Sequence, residues 1–213
     1  MIAAMEATAR LTREQRKAAT RERLLEAART VFAASGFHGA SVEEIAAAAG
    51  FSTGALYSNF DGKEDLFLVL MEREIDAQAR QISEAVGARH SVAERAVGGA
   101  REWMAMIERE PELVLLFTEF WAYGVREPEV RPEIAARFAK VRAMLTRLIA
   151  DGAREFDLEL TLPVNELAIA IDALADGIAR QRLTDPDAIP ADLMGRVIAL
   201  LLAAATRERA RSA

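Results

Sequence analysis

The stretch AGFSTGALYSNFDGKEDLF, residues 49–67, decides how this chain is read. Gly50 closes a small apolar run. Ser52 then opens a segment in which Thr53, Ser58 and Asn59 accompany Leu56, Tyr57 and Phe60. Asp61 and Glu64 mark a further helix start, with Lys63 between them. A short helix with small polar side chains on one side and an aromatic backing on the other has two faces with different uses. The backing packs. The small polar face stays available to something outside the fold.

Upstream, SVEEI is a capping box: Ser41 accepts from the backbone three residues on, and Glu44 reaches back. The helix it starts ends at Gly50, a residue suited to the left-handed turn needed there. Ser52 caps a third helix that is expected to end near Phe60. Before these, Leu24, Leu25, Ala28, Val31 and Phe32 lie at helical spacing, which predicts a first helix over about 12–35, stopped by Gly36. Two short helices joined by a glycine turn make a helix-turn-helix. Val42, Ile45, Ala46, Ala49, Leu56, Tyr57 and Phe60 are expected to interlock with the first helix. Thr53, Gly54, Ala55, Ser58 and Asn59 then face outward. Small residues let a helix backbone sit deep in a DNA major groove, where Thr, Ser and Asn bond base edges or phosphate oxygens. The helix N-termini at Ser41, Ser52 and Asp61 present free N–H groups that suit phosphates, and Lys63 adds a charge.

The remainder also reads as helix. Asp61 with Glu64 caps a fourth, long helix running to about Val86. Further helices are expected over about 91–109, 111–123, 129–156, 164–183 and 191–209, punctuated by Pro111, Pro128 and Pro163. The chain reads as helix almost throughout, with Ala, Leu, Arg and Glu dominant and β-branched alternation absent. Residues 111–123 are apolar nearly all round, which predicts a buried helix. Ile134, Phe138, Val141, Leu145 and Leu148 fall on one face of the helix after it.

Composition narrows the function. A chain of 213 residues, 52% hydrophobic and 28% charged, is a globular protein with a sizeable core. It has no cysteine, so disulfides and thiolate metal sites are excluded. His38 and His90 are far apart and form no ligand cluster. No signal peptide is visible, and the apolar run Val197–Ala205 is too short to span a bilayer, so a cytoplasmic protein with no membrane partner is expected. Catalysis finds no Ser-His-Asp set, metal spacing or phosphate-binding glycine loop; no enzyme activity and no cofactor are expected. The net charge is −6, but residues 10–23 hold Arg10, Arg13, Arg16, Lys17, Arg21 and Arg23 against Glu14 and Glu22. That surplus of four positive charges leaves −10 for the rest of the chain. A basic arm on an acidic body suits an end that meets phosphates; a solvated helix start would look the same.

SVEEIAAAAGFSTGALYSNFDGKEDLF, with RLLEAARTVFAASGFHGAS before it, strongly resembles the DNA-binding domain of the tetracycline-repressor (TetR) family. The resemblance covers about residues 16–70 in order, spacing and turn glycines. It implies an all-α homodimer of about nine helices per chain: a flexible arm over 1–11, a helix-turn-helix domain over 12–62, and an effector-binding and dimerisation domain over 63–213. By the same resemblance Ser41, Thr53, Tyr57 and Lys63 look like phosphate contacts, and Gly54, Ala55 and Ser58 look base-facing. Asn59 fits either role, and stands where the family often carries His or an aromatic. The Tyr57 ring also reads as core. The partner is then double-stranded DNA, a palindromic operator, and the chain a ligand-responsive regulator, most simply a repressor. A helical DNA-binding or protein-interaction module without a small-molecule effector is the alternative.

A regulator needs an input. Trp103, Met106, Phe117, Phe120, Trp121 and Met144 could line an apolar cavity, or simply pack. Glu119 lies in a nearly all-apolar helix, and Asp172 and Asp176 lie one turn apart. Carboxylates facing a cavity would favour a cationic or hydrogen-bond-donating ligand; Asp176 and Arg180 are also spaced as an ordinary surface pair. The last two helices, LAIAIDALADGIA and LMGRVIALLLAAA, carry more apolar surface than one helix pair buries and are expected to form the dimer interface. The fourth helix belongs to both domains, so a ligand against it would change the separation of two recognition helices and release DNA.

Overall fold

The structure, a computed structural model, describes residues 12–87 and 91–208. The expected arm over 1–11, with Arg10, and His90 lie outside the described residues. The described residues form nine helices and a two-stranded ribbon, in two compact units whose break in sequence falls between Leu70 and Met71.

The first unit holds α1 (Arg13–Gly39), α2 (Val42–Ala49), α3 (Thr53–Tyr57) and the opening turns of α4 (Lys63–Gly87). Thr12 and Gln15 form a capping box at the start of α1. Gly36, at φ 71°, interrupts the helical path inside the span of α1, at the position where a stop is expected. Ser41 and Glu44 form the second box, and Gly50 closes α2 in the left-handed region at φ 74°. α3 is shorter than expected and ends at Tyr57. Gly62, rather than Asp61, precedes α4, accepting from the Leu66 N–H at 3.1 Å; the Asp61 N–H donates to the Asp65 carboxylate instead.

The interior of this unit is filled. Leu24, Ala28, Phe32, Ile45, Leu56, Leu66 and Phe67 are fully excluded from solvent. Phe67 meets Phe32 and Phe37 edge to face, with centroids 5.2 and 5.1 Å apart. These contacts bring the start of α4 into the first unit, whose break lies eight residues beyond the expected boundary after residue 62. Tyr57 does not interlock: it is 57% exposed. One helical step of about 100° from buried Leu56 carries it off the packing face.

The second unit contains the rest of α4, then α5 (Val92–Arg109), α6 (Pro111–Gly124), α7 (Arg131–Glu155), β1 (Leu158–Leu160), α8 (Val164–Thr184), α9 (Leu193–Ala204) and β2 (Thr206–Glu208). α5 packs chiefly on α9 and α7 on α8. Gly195 allows the first pairing: a Cβ there would stand 3.3 Å from the Val97 Cα. Ala100, Met104, Ile107, Ile171, Ile178 and Ile198 form the centre of the core. α6 is not buried all round. Leu113, Leu116, Phe120 and Gly124 make one buried stripe at steps of three, four and four, while Leu115 and Trp121 are exposed.

The all-α expectation holds, with one short two-stranded ribbon beside the helices. The last helix stops at Ala204 and the chain pairs antiparallel with β1, Leu158 opposite Glu208 and Leu160 opposite Thr206. Asp157, at φ 51°, turns the chain into β1, and Arg207 grips Glu159 with two hydrogen bonds of 2.8 and 3.1 Å. Three-residue strands are too short to display a two-residue alternation, which hides them from pattern reading. Among the described residues no helix is long and apolar enough to cross a membrane, and no group of His, Cys, Asp or Glu could hold a metal ion.

Candidate DNA interface and ligand cavity

The exposed side of the helix-turn-helix is built by caps. The Ser52 hydroxyl accepts from the Ala55 N–H at 3.2 Å and sets the start of α3. At the other end, Ser58 Oγ and Asn59 Nδ2 each donate to the Ala55 carbonyl at 2.8 Å. Asn59 is therefore turned partly inward, and its Oδ1 is buried without a hydrogen-bond partner. Ser52, Gly54, Tyr57 and Ser58 are exposed; Thr53 and Ala55 are half-buried beside them. Ser41 is engaged in its capping box, donating to Glu44 at 2.9 Å. A Cβ added to Gly54 would meet nothing closer than Ser52 Oγ at 3.7 Å, so the fold itself does not require glycine there.

Three cations hold this surface in place. Lys63 Nζ donates to the Ala40 carbonyl at 3.0 Å and lies 4.7 Å from the Phe37 ring. Arg23 donates to the Ala49 carbonyl at 2.8 Å, over Phe51. Arg21 donates to the Asn59 carbonyl and sits 4.0 Å above Phe60. Each satisfies a carbonyl at or just beyond a helix end, where no backbone donor is left, and each rests on an aromatic face. Arg21 and Arg23 counted as arm charges in the sequence; the structure uses both inside the domain. The phenylalanines beside them in space, Phe51 and Phe60, were the only available signal.

In the second unit a cavity of about 770 Å³ is lined by α4, α5, α7 and α8 among others. Of the candidate ligand residues, Trp103, Met106, Phe117, Met144, Asp172 and Asp176 line it. Glu119, Phe120 and Trp121 do not: Phe120 is in the buried stripe of α6, Trp121 faces solvent, and Glu119 is half-buried between them in sequence. The face expected from 129–156 explains itself here, since Phe138, Val141, Leu145 and Leu148 are half-buried because they border the cavity. Sequence reasoning missed the contribution of α4, whose Met71, Ile75 and Ile82 also line it.

Charged side chains are also part of the lining, and two of its carboxylates, Asp172 and Asp176, are shifted by burial. Burial, reinforced by neighbouring Asp176 and opposed by Arg142, pushes the Asp172 carboxyl up to about 6. Burial also raises Asp176, with Arg180 opposing it across a 2.9 Å ion pair. Opposite in chemistry, the Trp103 indole N–H is buried with no acceptor.

Known proteins resemble this chain along its length. Residues 24–70 match the family described as bacterial regulatory proteins, tetR family, and residues 92–207 match the C-terminal domain described as BetI-type transcriptional repressor. The HTH-type transcriptional activator FasR of Mycolicibacterium smegmatis is 28% identical over 180 residues, covering 84% of this chain and 79% of that one. The HTH-type transcriptional regulator UidR of Escherichia coli is 31% identical over 155 residues, covering 62% of this chain and 76% of its own. The Bacillus subtilis transcriptional regulator FadR, solved in complex with stearoyl-CoA, superposes with a TM-score of 0.69 at 18% identity, over 85% of this chain and 96% of that one. Such a low identity speaks to the fold alone. The matched domains, which together span most of the sequence, place the chain in the TetR family of DNA-binding transcriptional regulators.

Proposed function

We propose that the chain is a cytoplasmic repressor that binds a palindromic operator as a homodimer and is released by a small, largely apolar molecule. The observation that carries the DNA part is the start of α3, where small residues leave room at exposed Gly54 that the fold does not need. In this reading Gly54, Ala55 and Ser58 meet base edges, with α3 entering the major groove from its Ser52 end. Ser41, Thr53 and Tyr57 meet phosphates. Lys63 has N–H groups left beyond its bond to Ala40 for a phosphate. Asn59, tied to Ala55, supports the helix end beside them.

The described C-terminal resemblance to a repressor domain favours repression. Exposed Ile169 on α8 and Leu200 on α9 support pairing of those helices with a second copy. The cavity supplies the input. Because α4 lines it beyond Met71 and packs by Phe67 in the first unit, a ligand with unequal affinity for two placements of α4 would shift DNA affinity. Selection of bound duplexes from random DNA at near-physiological salt tests the reading. A palindrome with half-sites about one turn apart is expected. Weak binding with no consensus and a steep salt dependence would refute the sequence-specific dimer.

A further inference from the structure

We infer that Lys140 of α7, together with Glu72 and Asp76 of α4, forms an ion strap that holds α4 to α7 beside the cavity and favours the DNA-binding form of the protein. The inference rests on the proposed reading in which a ligand in the cavity releases DNA. Lys140 is then a positioning residue, acting on DNA affinity through α4.

Glu72 and Asp76 lie one turn apart on α4, so one cation can meet both. Lys140 Nζ stands 2.6 Å from Asp76 Oδ1 and 3.3 Å from Glu72 Oε1. The Asp76 bond raises the Lys140 pKa above its ordinary value, which keeps the ammonium charged. Asp76 and Lys140 also belong to the cavity lining, so the strap joins two helices that wall the same space. Farther along, α4 is packed rather than strapped. Val86 is buried, and a Cβ on Gly99 of α5 would stand 3.1 Å from Val86 Cγ2 and 3.7 Å from Ile82 Cγ2. Asp76 lies roughly 15 Å along the helix from Val86.

This arrangement makes α4 a lever. Near Val86 it is fixed against α5 by close apolar packing. Near Asp76 it is held by charges whose side chains stay 41% exposed on Lys140 and Asp76 and 56% exposed on Glu72. Close packing yields little, whereas an exposed ion pair yields readily because water replaces the lost partner. A ligand wider than the strapped space separates α4 from α7 and stretches the strap. Ligand and strap therefore act in opposite senses. A ligand that releases DNA makes the strap a device that favours binding it. The same helix continues from Asp76 back to Phe67, which packs in the first unit. So weak a tether biases the placement of α4 without locking it.

The test is a duplex titration joined to a distance measurement, both on the full chain. Lys140→Glu sets three carboxylates together and should push α4 outward. Adding Asp76→Lys to Lys140→Glu restores one cation beside two carboxylates and keeps the wild-type net charge. Arg154→Glu, at a residue paired with Asp151 on α7 itself, makes the same charge change without touching the strap. On an operator selected with the wild type, Lys140→Glu should bind about fivefold more weakly than Arg154→Glu, and the double variant within about twofold of wild type. Nitroxide labels on Ala77→Cys and Ala139→Cys, unique in a chain without cysteine and diluted with unlabelled chain, report the α4–α7 separation. It should grow by about 1–2 Å in Lys140→Glu and return in the double variant. Urea unfolding checks that each variant is folded; if Lys140→Glu is not, Lys140→Met replaces it, with about a twofold loss expected. Equal affinities of Lys140→Glu and Arg154→Glu, tighter binding by Lys140→Glu, a double variant that does not recover, or an unchanged separation overturns the inference. A wild type that selects no operator refutes the proposed regulator instead, and the label distances then decide whether the strap holds α4.

Discussion

The two units treat aromatic side chains in opposite ways. In the first, Phe32, Phe37 and Phe67 close on one another and are essentially excluded from solvent. In the second, Phe117 and Phe138 meet edge to face at 5.9 Å yet remain half-buried, together with Trp103, around a cavity of about 770 Å³. Both regions read as apolar stripes at helical spacing. The difference lies in what completes the packing: other side chains in one case, empty volume in the other. A filled core holds a surface rigid, whereas a hollow one leaves apolar area whose burial awaits a ligand.

The largest effect follows from that contrast. Phe67→Ala removes a fully packed ring and is expected to cost about 3–5 kcal/mol. Phe138→Ala, facing the cavity, is expected to cost roughly 1–2 kcal/mol, because much of its surface is never buried. Urea unfolding of the two variants decides it. Equal losses would mean that the second unit is as filled as the first, and the contrast would be broken.

The cationic clamps sharpen the comparison next. Arg21→Met keeps the stem over Phe60 but leaves the Asn59 carbonyl unmet, an expected loss of roughly 1.5–3 kcal/mol. Exposed Arg16→Met should change stability by under about 0.5 kcal/mol. If the two variants unfold at the same urea concentration, Arg21 is an arm charge after all and the carbonyl contact contributes nothing.

Legibility in the sequence follows the range of the interactions. The caps at Ser41 and Ser52 and the turn at Gly50 involve residues a few positions apart, so their chemistry is visible in the string. Arg21 and Asn59 are 38 residues apart, and a charge count cannot tell a clamp from a phosphate contact. In the second unit, hydrophobicity marked Trp103, Phe117, Phe120 and Trp121 alike. Only packing separates a cavity wall from a buried stripe or an exposed ring. Asp172 and Asp176 were legible because a carboxylate amid Ala and Ile is locally anomalous. Their unequal satisfaction was not, since it depends on Arg180 reaching one and Arg142 remaining distant from the other.

That inequality predicts a pH dependence smaller than the clamp effect. Asp172 rises from an ordinary 3.8 to about 6 in the fold. The folded protein therefore binds its proton more tightly than the unfolded chain. The stability this contributes is complete below about pH 4 and is lost as pH rises through about 6. The full shift corresponds to about 3 kcal/mol, and solvent screening of a partly exposed carboxyl reduces this to roughly 1–2 kcal/mol. Asp176 on α8, itself paired with Arg180, and Arg142 on α7 are the charged groups acting on it. Unfolding of the wild type and Asp172→Asn at several pH values isolates the term. The variant should gain on the wild type as pH rises from about 4 to 7; a constant difference would mean that Asp172 is already solvated or paired.

The smallest stability effect carries the sharpest functional contrast. At Gly54 a Cβ meets only Ser52 Oγ, at 3.7 Å, an ordinary contact. Gly54→Ala should therefore raise helix stability by roughly 0.5–1 kcal/mol, since alanine loses less backbone freedom on entering a helix. The same methyl would stand between α3 and a base edge. Affinity for a selected operator should fall by roughly tenfold or more, while weak binding to unrelated duplex, carried by phosphate contacts, stays nearly unchanged. Urea unfolding and a duplex titration on one sample read both quantities. Opposite signs place the requirement for glycine in the partner rather than in the fold. If affinity rises with stability, or if both duplexes weaken equally, the face of α3 at Gly54 does not read bases, and the small side chains there serve some other end.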